Sequence, residues 1–197
     1  MAMAVDPQWL ESWISERGPY LYHSARTFVH ASLILDQGLL PWDENDSGAQ
    51  WYGIWRPRPG HVYLGTMEKI KTVAGCDAKE KCLRVDLRLL DPERINPDED
   101  LLCSWPSWKI AKRWPAVRER GSDESFGEWA ENHDFGLDPE DTQLSLERLS
   151  SIAYRGRIPV EALSPSSEYL RYCREREDTG FAERVAKNMN MFGLVSS

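Results

Sequence analysis

The chain has 197 residues, enough for one domain with a substantial hydrophobic core and too few for two domains of ordinary size. Its net charge of -8 and pI near 5.1 argue against broad electrostatic attraction to nucleic acid or anionic membranes. No apolar run approaches the roughly 20 residues of a spanning helix, and residues 1–11 lack the basic and apolar regions of a signal peptide. We therefore expect a cytoplasmic protein that does not bind membranes.

The cysteines are too irregularly spaced to indicate a metal site. Cys76, Cys82, Cys103 and Cys173 form no CxxC pair, and no histidine lies at ligand spacing from them. We expect reduced, structural thiols and no bound metal.

The first predicted helix begins at Asp6-Pro7, because aspartate caps helices and proline fits the first helical position. It ends before Gly18. Trp9 and Trp13 lie one turn apart and belong to an apolar stripe that we expect to pack on the domain.

A strand at Tyr20–His23 follows, and its lack of charge predicts burial on both faces. Residues 27–37 have the apolar spacing of an amphipathic helix, with Gly38 as its stop. Residues 42–59 are rich in Asp, Asn, Gly, Pro and Trp, and include Trp55. A loop of this length is typical of a lid or binding loop, and the alternative is a surface excursion.

The central part of the chain predicts two further strands. Residues 61–66 alternate, with Tyr63 facing away from the valine and leucine of that strand, and a short helix follows at 67–73. Residues 82–90 alternate leucine and valine with charged residues up to Leu89, which predicts a half-exposed strand.

The next third of the chain is polar and charged. Residues 91–100 are acidic and contain proline, so we expect a loop. Residues 105–120 interleave tryptophan with lysine and arginine, a mixture that suits nucleic-acid stacking and phosphate contact. The alternative is a solvated helix face with its tryptophans turned inward. Residues 121–147 are acidic without Lys or Arg and would repel a polyanion.

The C-terminal part contains one more predicted core strand, at residues 150–155. A turn with a one-turn helix covers 156–163, and 164–167 has the composition of a linker. We therefore predict a single domain over residues 1–163 and a helical C-terminal extension over 164–197, with its helix near 181–188.

Five segments in order resemble the ADP-ribosyltransferase superfamily: YHSA ending the first strand, QGLLP ending the helix, HVYLGT, LRVDL and IAYRGRIPVEAL. The likeness is closest to bacterial members related to RNA 2′-phosphotransferases and to the histidine-tyrosine-glutamate class. It covers roughly residues 20–163. The resemblance implies an α+β fold in which two small packed β-sheets with flanking helices form a cleft for NAD.

The resemblance also implies roles for individual residues. His23 would hydrogen-bond the adenosine ribose, and the small Ser24 and Ala25 would let the backbone approach the nicotinamide amide. Tyr63 would stack on the nicotinamide ring, since a tyrosine face suits a flat aromatic cation. Thr66 would support that strand.

The sequence departs from the family at the third catalytic position. Ser150 stands where the histidine-tyrosine-glutamate class has a glutamate, and Glu147 lies three residues earlier. A hydroxyl can bind a ribose but contributes little to stabilising positive charge, so we count both Ser150 and Glu147 as catalytic candidates. Trp55, Arg155 and Arg157 are candidates for substrate contact.

Three functions stay open from the sequence. The first is an enzyme that transfers ADP-ribose from NAD to a protein, nucleic-acid or nucleotide acceptor. The second is an RNA 2′-phosphotransferase-like enzyme, and the third is an inactive nucleotide- or protein-binding module. Taken singly, His23 and Tyr63 could be ordinary strand residues and Arg155 and Arg157 ordinary surface charges.

Overall fold

A computed structural model describes residues 5–44, 58–74, 81–104 and 139–175. Over these ranges the chain is α+β, with six strands in one antiparallel sheet and five α-helices. In these ranges no helix is both long enough and apolar enough to cross a membrane.

The strands and helices have the following bounds. The strands are β1 (Tyr20–Ser24), β2 (His61–Gly65), β3 (Cys82–Asp86), β4 (Ile95–Pro97), β5 (Ser151–Arg155) and β6 (Leu163–Pro165). The helices are α1 (Pro7–Arg17), α2 (Phe28–Gln37), α3 (Met67–Ala74), α4 (Pro139–Leu149) and α5 (Ser167–Glu175).

The sheet has the order β4-β5-β2-β1-β3-β6. β2 pairs with β5, and β1 with β3, along their whole lengths. Between the described strands β1 and β2, in contrast, the register has one pair, Tyr22 with Gly65. The expectation of two separate small sheets is therefore wrong, because β1 bridges both halves. The ADP-ribosyltransferase-like arrangement itself stays a prediction.

The predicted cap at Asp6 and the predicted glycine stops of the first two helices are confirmed, and Thr27, expected inside the second helix, is its cap. The Asp6 side chain accepts a hydrogen bond from the backbone near the start of α1, and Thr27 does the same for α2. Both helices end at glycines with positive φ, 86° at Gly18 and 87° at Gly38. A side chain at Gly38 would also collide with the Ile158 carbonyl, since its Cβ would lie 2.7 Å from that oxygen.

One prediction about strand burial is wrong, and so is one about strand length. In β1 only Leu21 is fully buried, while Tyr20 and Tyr22 on the opposite face are half-buried. The alternation of residues 82–90 does not extend as a strand, because β3 ends at Asp86 and a 3₁₀ turn follows. Leu89 is consequently 54% exposed.

Three elements lie where no regular structure was predicted. β4 falls within the predicted loop 91–100, α4 begins within the acidic segment 121–147, and β6 begins before the predicted linker 164–167 and continues into it. β4 and β6 are the two edge strands and contain Pro97 and Pro165. Proline is tolerated in an edge strand, where its missing N–H is not needed for pairing. The prolines therefore did not exclude strands in these two segments, although proline there favoured the predicted loop and linker.

The ordered fold continues past residue 163. Tyr169 of α5 is fully buried, and Phe28 of α2 lies against it with ring centroids 5.8 Å apart. The predicted helix at 181–188, the segment 105–120 and Trp55 lie outside the described residues.

Two leucine substitutions test these boundaries. Leu163 is 1% exposed and pairs beside Val85, so Leu163→Ala should lower the free energy of unfolding by about 2–5 kcal/mol. Leu89→Ala, at an exposed position, should lower it by less than about 1 kcal/mol. Urea denaturation of the two variants measures the difference, and equal losses would contradict the described ends of β3 and β6.

Candidate functional site

A cavity of about 460 Å³ lies between α1, the middle of β1, the start of α3 and the end of α4. Its volume falls in the range of small-molecule sites. Three of the residues singled out from the sequence line it: Thr66, Glu147 and Ser150. Glu147 and Ser150 lie three residues apart in one segment, and the fold brings Thr66, from a distant part of the chain, beside them.

α1 forms one wall of the cavity. Trp9, Trp13 and Glu16 lie at helical spacing of four and three residues, and this spacing places them on one face of the helix. With Arg17 they make a stripe about 12 Å long at the rise of an α-helix. The sequence indicated that these tryptophans pack on the domain, and their half-buried state agrees with that; their part in a cavity was missed.

β1 forms the opposite wall. Strand alternation places Tyr20 and Tyr22 on the face opposite to Leu21, and both tyrosines line the cavity. Burial raises the pKa of Tyr22, so its phenol stays protonated at neutral pH. The cavity is therefore walled by four aromatic side chains, two from α1 and two from β1.

One hydrogen bond holds two of the polar lining residues side by side. The Thr66 backbone N–H donates to the Ser150 carbonyl at 2.8 Å, which joins the end of β2 to the start of β5. The Thr66 hydroxyl in turn accepts from the Lys69 N–H at 3.3 Å and caps α3. Hydrogen bonds to Ser150 and to Lys69 thus hold both the backbone and the side chain of Thr66.

Ser150 has an unusual backbone. Its φ is 58°, in the left-handed region that a helix end normally fills with glycine. A non-glycine residue there costs about 1–2 kcal/mol. Strain of this kind clusters at functional sites, where the surrounding structure holds the residue in place.

Glu147 lies on the exposed last turn of α4, where it lines the cavity. Its Oε1 accepts a hydrogen bond from the Gln143 amide at 3.0 Å, which orients the carboxylate. A carboxylate beside aromatic rings can bind a cation or stabilise positive charge that develops in a reaction.

His23 does not line this cavity with the other residues. It lies on the Leu21 face of β1, and its Nδ1 donates to the Tyr63 backbone carbonyl at 3.2 Å. Burial is the main cause that lowers the pKa of His23, so the imidazole is neutral at pH 7 and Nε2 is an acceptor.

The Tyr63 phenol is engaged elsewhere. It donates to the Glu99 carboxylate and accepts from the Arg58 backbone N–H at 2.8 Å. Since Tyr22 pairs with Gly65, alternation puts the Tyr63 side chain on the Tyr22 face and His23 on the other. The two rings therefore do not face a common crevice.

Arg58, Tyr63 and Glu99 form a buried polar cluster that the sequence did not indicate. Arg58 Nε lies 3.4 Å from Glu99 Oε2, and the two side chains are 6% and 0% exposed. Burial raises the pKa of Glu99 to about 7, against the lowering effect of Arg58. No local sequence pattern could have revealed this cluster, because Arg58 lies in the tryptophan-rich segment 42–59 and Glu99 lies in the predicted loop 91–100.

The remaining candidates are separate from the cavity. The Ser24 side chain hydrogen-bonds Cys82, and the Ala25 N–H donates to the Lys81 carbonyl at 3.1 Å, so the Ala25 backbone donor is already used within the fold. Arg155 is exposed at the far end of β5, about 13 Å from its start at the rise of a strand. Arg157 is exposed in the turn that follows.

The described residues thus define an α+β chain with an antiparallel sheet and a cavity that combines aromatic walls with carboxylates. No protein-family model matches the chain, and no curated protein or solved structure was found to match it. Over the described ranges, no three His, Cys, Asp or Glu side chains are grouped so as to hold a metal ion.

Ser150→Gly separates backbone strain from side-chain function. Glycine relieves the positive φ, so we expect the free energy of unfolding to rise by roughly 1 kcal/mol. The matched change Ser12→Gly, inside α1 and in the same cavity, should lower it by about 0.5 kcal/mol. Urea denaturation measures both, and a loss of stability in Ser150→Gly would contradict the strain.

The buried Glu99 predicts a pH-dependent stability. Its folded-state pKa of about 7 lies above the ordinary 4.5, so its contribution is complete below about pH 4.5 and is lost as pH rises through 7. The lowered pKa of His23 has the opposite effect, because it makes the folded state more stable as pH rises. The informative quantity is therefore the difference in unfolding free energy between the wild type and Glu99→Gln.

This difference should change steadily between pH 4.5 and 7 and level off above it. Denaturant titrations at pH 5, 6, 7 and 8 measure it. Glu68→Gln, at an exposed carboxylate, is the matched control and should give a flat difference. The same flat result for Glu99→Gln would show that Glu99 is not the titrating group.

Proposed function

We propose that the chain is an NAD-dependent ADP-ribosyltransferase whose nicotinamide–ribose site is the cavity under α1. The observation that carries the proposal is the meeting of Thr66, Glu147 and Ser150 in one aromatic cavity. These are the positions that the resemblance assigns to the end of the tyrosine strand and to the glutamate region before the last strand. Their convergence is what a nucleotide site at that place requires.

The lining suits the proposed ligand. Flat rings at Trp9, Trp13 and Tyr22 offer stacking surface for a nicotinamide ring, and the Ser150 hydroxyl can donate to and accept from ribose hydroxyls. Arg17 places a guanidinium at the end of the α1 stripe, where it would attract a phosphate. The residues present therefore fit a nicotinamide nucleotide.

In the proposed reaction the nicotinamide–ribose bond breaks with its electron pair leaving on nicotinamide, and the acceptor's nucleophile bonds to the ribose carbon as it loses its proton. Glu147 would supply negative charge beside the ribose carbon that becomes electron-poor. Ser150 would hold the ribose, and the strained backbone would fix its hydroxyl in place.

His23 and Tyr63 take supporting roles in this proposal. The His23 ring ties β1 to β2 through the Tyr63 carbonyl, close to the single register pair of these strands. The Tyr63 phenol anchors Arg58 and Glu99. Both residues hold the strands that form the cavity, and neither is required to touch the nicotinamide ring.

A second candidate is a nucleotide-binding module without turnover. Two observations favour it: serine stands at residue 150, and the Tyr63 phenol is occupied by Glu99. An RNA 2′-phosphotransferase-like activity is the third candidate, and it predicts release of a cyclic ADP-ribose phosphate from a 2′-phosphorylated oligonucleotide.

The Glu147→Gln variant tests the proposed chemistry. With labelled NAD and cell extract, the wild type should release nicotinamide and label an acceptor, and Glu147→Gln should lower kcat by roughly 10²–10³-fold with a smaller change in KM. Chromatographic measurement of nicotinamide gives both constants. Glu93→Gln, an exposed carboxylate outside the cavity, is the matched control and should keep wild-type activity.

Calorimetry with NAD separates the candidates. Binding without nicotinamide release identifies the non-catalytic module, and release that requires a 2′-phosphorylated oligonucleotide identifies the phosphotransferase. Absence of both NAD binding and NAD consumption would refute the proposed function.

A further inference from the structure

We propose that the cavity under α1 selects planar organic cations over neutral rings of the same shape, and that the tryptophans of α1 and the carboxylates Glu16 and Glu147 make this selection. The inference deepens the proposed function at the same site. It concerns recognition alone, so it can be tested without any transfer reaction.

The aromatic walls are the first ground for this inference. Trp9, Trp13, Tyr20 and Tyr22 line the cavity from two sides. Ring faces attract cations, with tryptophan the strongest, and the attraction grows when water is excluded. Tyr20 already shows this chemistry within the chain, since the Arg84 guanidinium carbon lies 4.8 Å from its ring centroid.

The charges of the lining are the second ground. Two carboxylates, Glu16 and Glu147, line the cavity against one guanidinium, that of Arg17. Among the described lining residues the charge sum is therefore negative, and the Gln143 amide donates a hydrogen bond to the Glu147 carboxylate. A neutral ring gains from the aromatic walls but gains nothing from these carboxylates.

The neighbouring arginines do not cancel this preference. Arg84 is held by the Tyr20 ring and donates to Ser164 Oγ at 3.2 Å, on the side of β6. Arg17, Glu16 and Glu147 are all exposed, so solvent screens the three charges alike and leaves an excess of one carboxylate among them. Close to Tyr22, the negative charge of Glu168 opposes the positive charge of Arg84.

For a nicotinamide nucleotide the consequence is a preference for the oxidised form. The oxidised ring is a planar cation, whereas the reduced ring is neutral. The site would thus bind NAD in the only state that can release nicotinamide, and the reduced dinucleotide would be a weak competitor.

Two probes of matched shape test the inference. 1-Methylnicotinamide is a planar cation, and 3-methylbenzamide is its neutral isostere with carbon in place of the charged nitrogen. Calorimetry on the full chain at low salt should give at least about tenfold tighter binding of the cation, as expected for one cation–π contact supported by a carboxylate.

Single substitutions in the lining should reduce this preference. Trp13→Leu keeps apolar bulk without a ring face, and Glu147→Gln removes a charge at constant shape; each should lower the cation-to-neutral ratio several-fold. Glu16→Gln, at an exposed position, keeps the test valid if Trp13→Leu does not fold. Tyr172→Leu, outside the cavity lining, is the matched control and should leave the ratio unchanged.

The outcomes separate this inference from the proposed function. Preferential binding of the cation without NAD consumption supports the inference and refutes the transfer activity. NAD consumption with equal binding of both probes refutes the inference and leaves the transfer activity standing. Binding of neither probe, or a ratio unaffected by all three lining variants, also refutes the inference.

Discussion

The structure depends on how two halves of a sheet are joined at one point. β1 and β2 pair at Tyr22 and Gly65, and the strands on either side, β3 and β5, pair with them along their full length. The hydrogen bond from the Thr66 N–H to the Ser150 carbonyl closes the same region from the β5 side. Backbone bonds therefore fix the β1, β2 and β5 sides of the cavity, and the packing of Trp9 and Trp13 against the core holds the α1 side.

Two polar arrangements, one partly buried and one buried, support this junction from opposite faces of the sheet. On one face the neutral His23 ring bonds the Tyr63 carbonyl, and on the other the Tyr63 phenol bonds Glu99 beside Arg58. A buried ion pair contributes little net stability, because desolvation offsets the attraction. Such a pair does penalise other arrangements, since moving either partner would leave a buried charge. We infer that this cluster specifies the position of β2 more than it stabilises the fold.

The cavity differs in character from these clusters. Its lining is half-exposed, aromatic and acidic, and one of its residues, Ser150, has a strained backbone. Groups that are engaged inside the fold, such as the Glu99 carboxylate, serve the framework, whereas partly exposed groups with strain are where a ligand can be recognised. The proposed chemistry therefore lies at Glu147, Ser150 and the tryptophans of α1. It does not lie at His23 and Tyr63, to which the family resemblance assigned it.

The amino-acid sequence by itself determined the local elements: the cap at Asp6, the glycine stops, and the alternation that placed Tyr63 on the face opposite to Leu64. These follow from backbone conformation and from periodicity within a few residues. Only the tertiary structure decided that the edge strands β4 and β6 complete one sheet and that His23 and Tyr63 face different sides. The tertiary structure also placed α1 beside β1, and residues of both line the cavity. Register between distant strands and burial of partners such as Glu99 depend on contacts across the chain, which no local pattern contains.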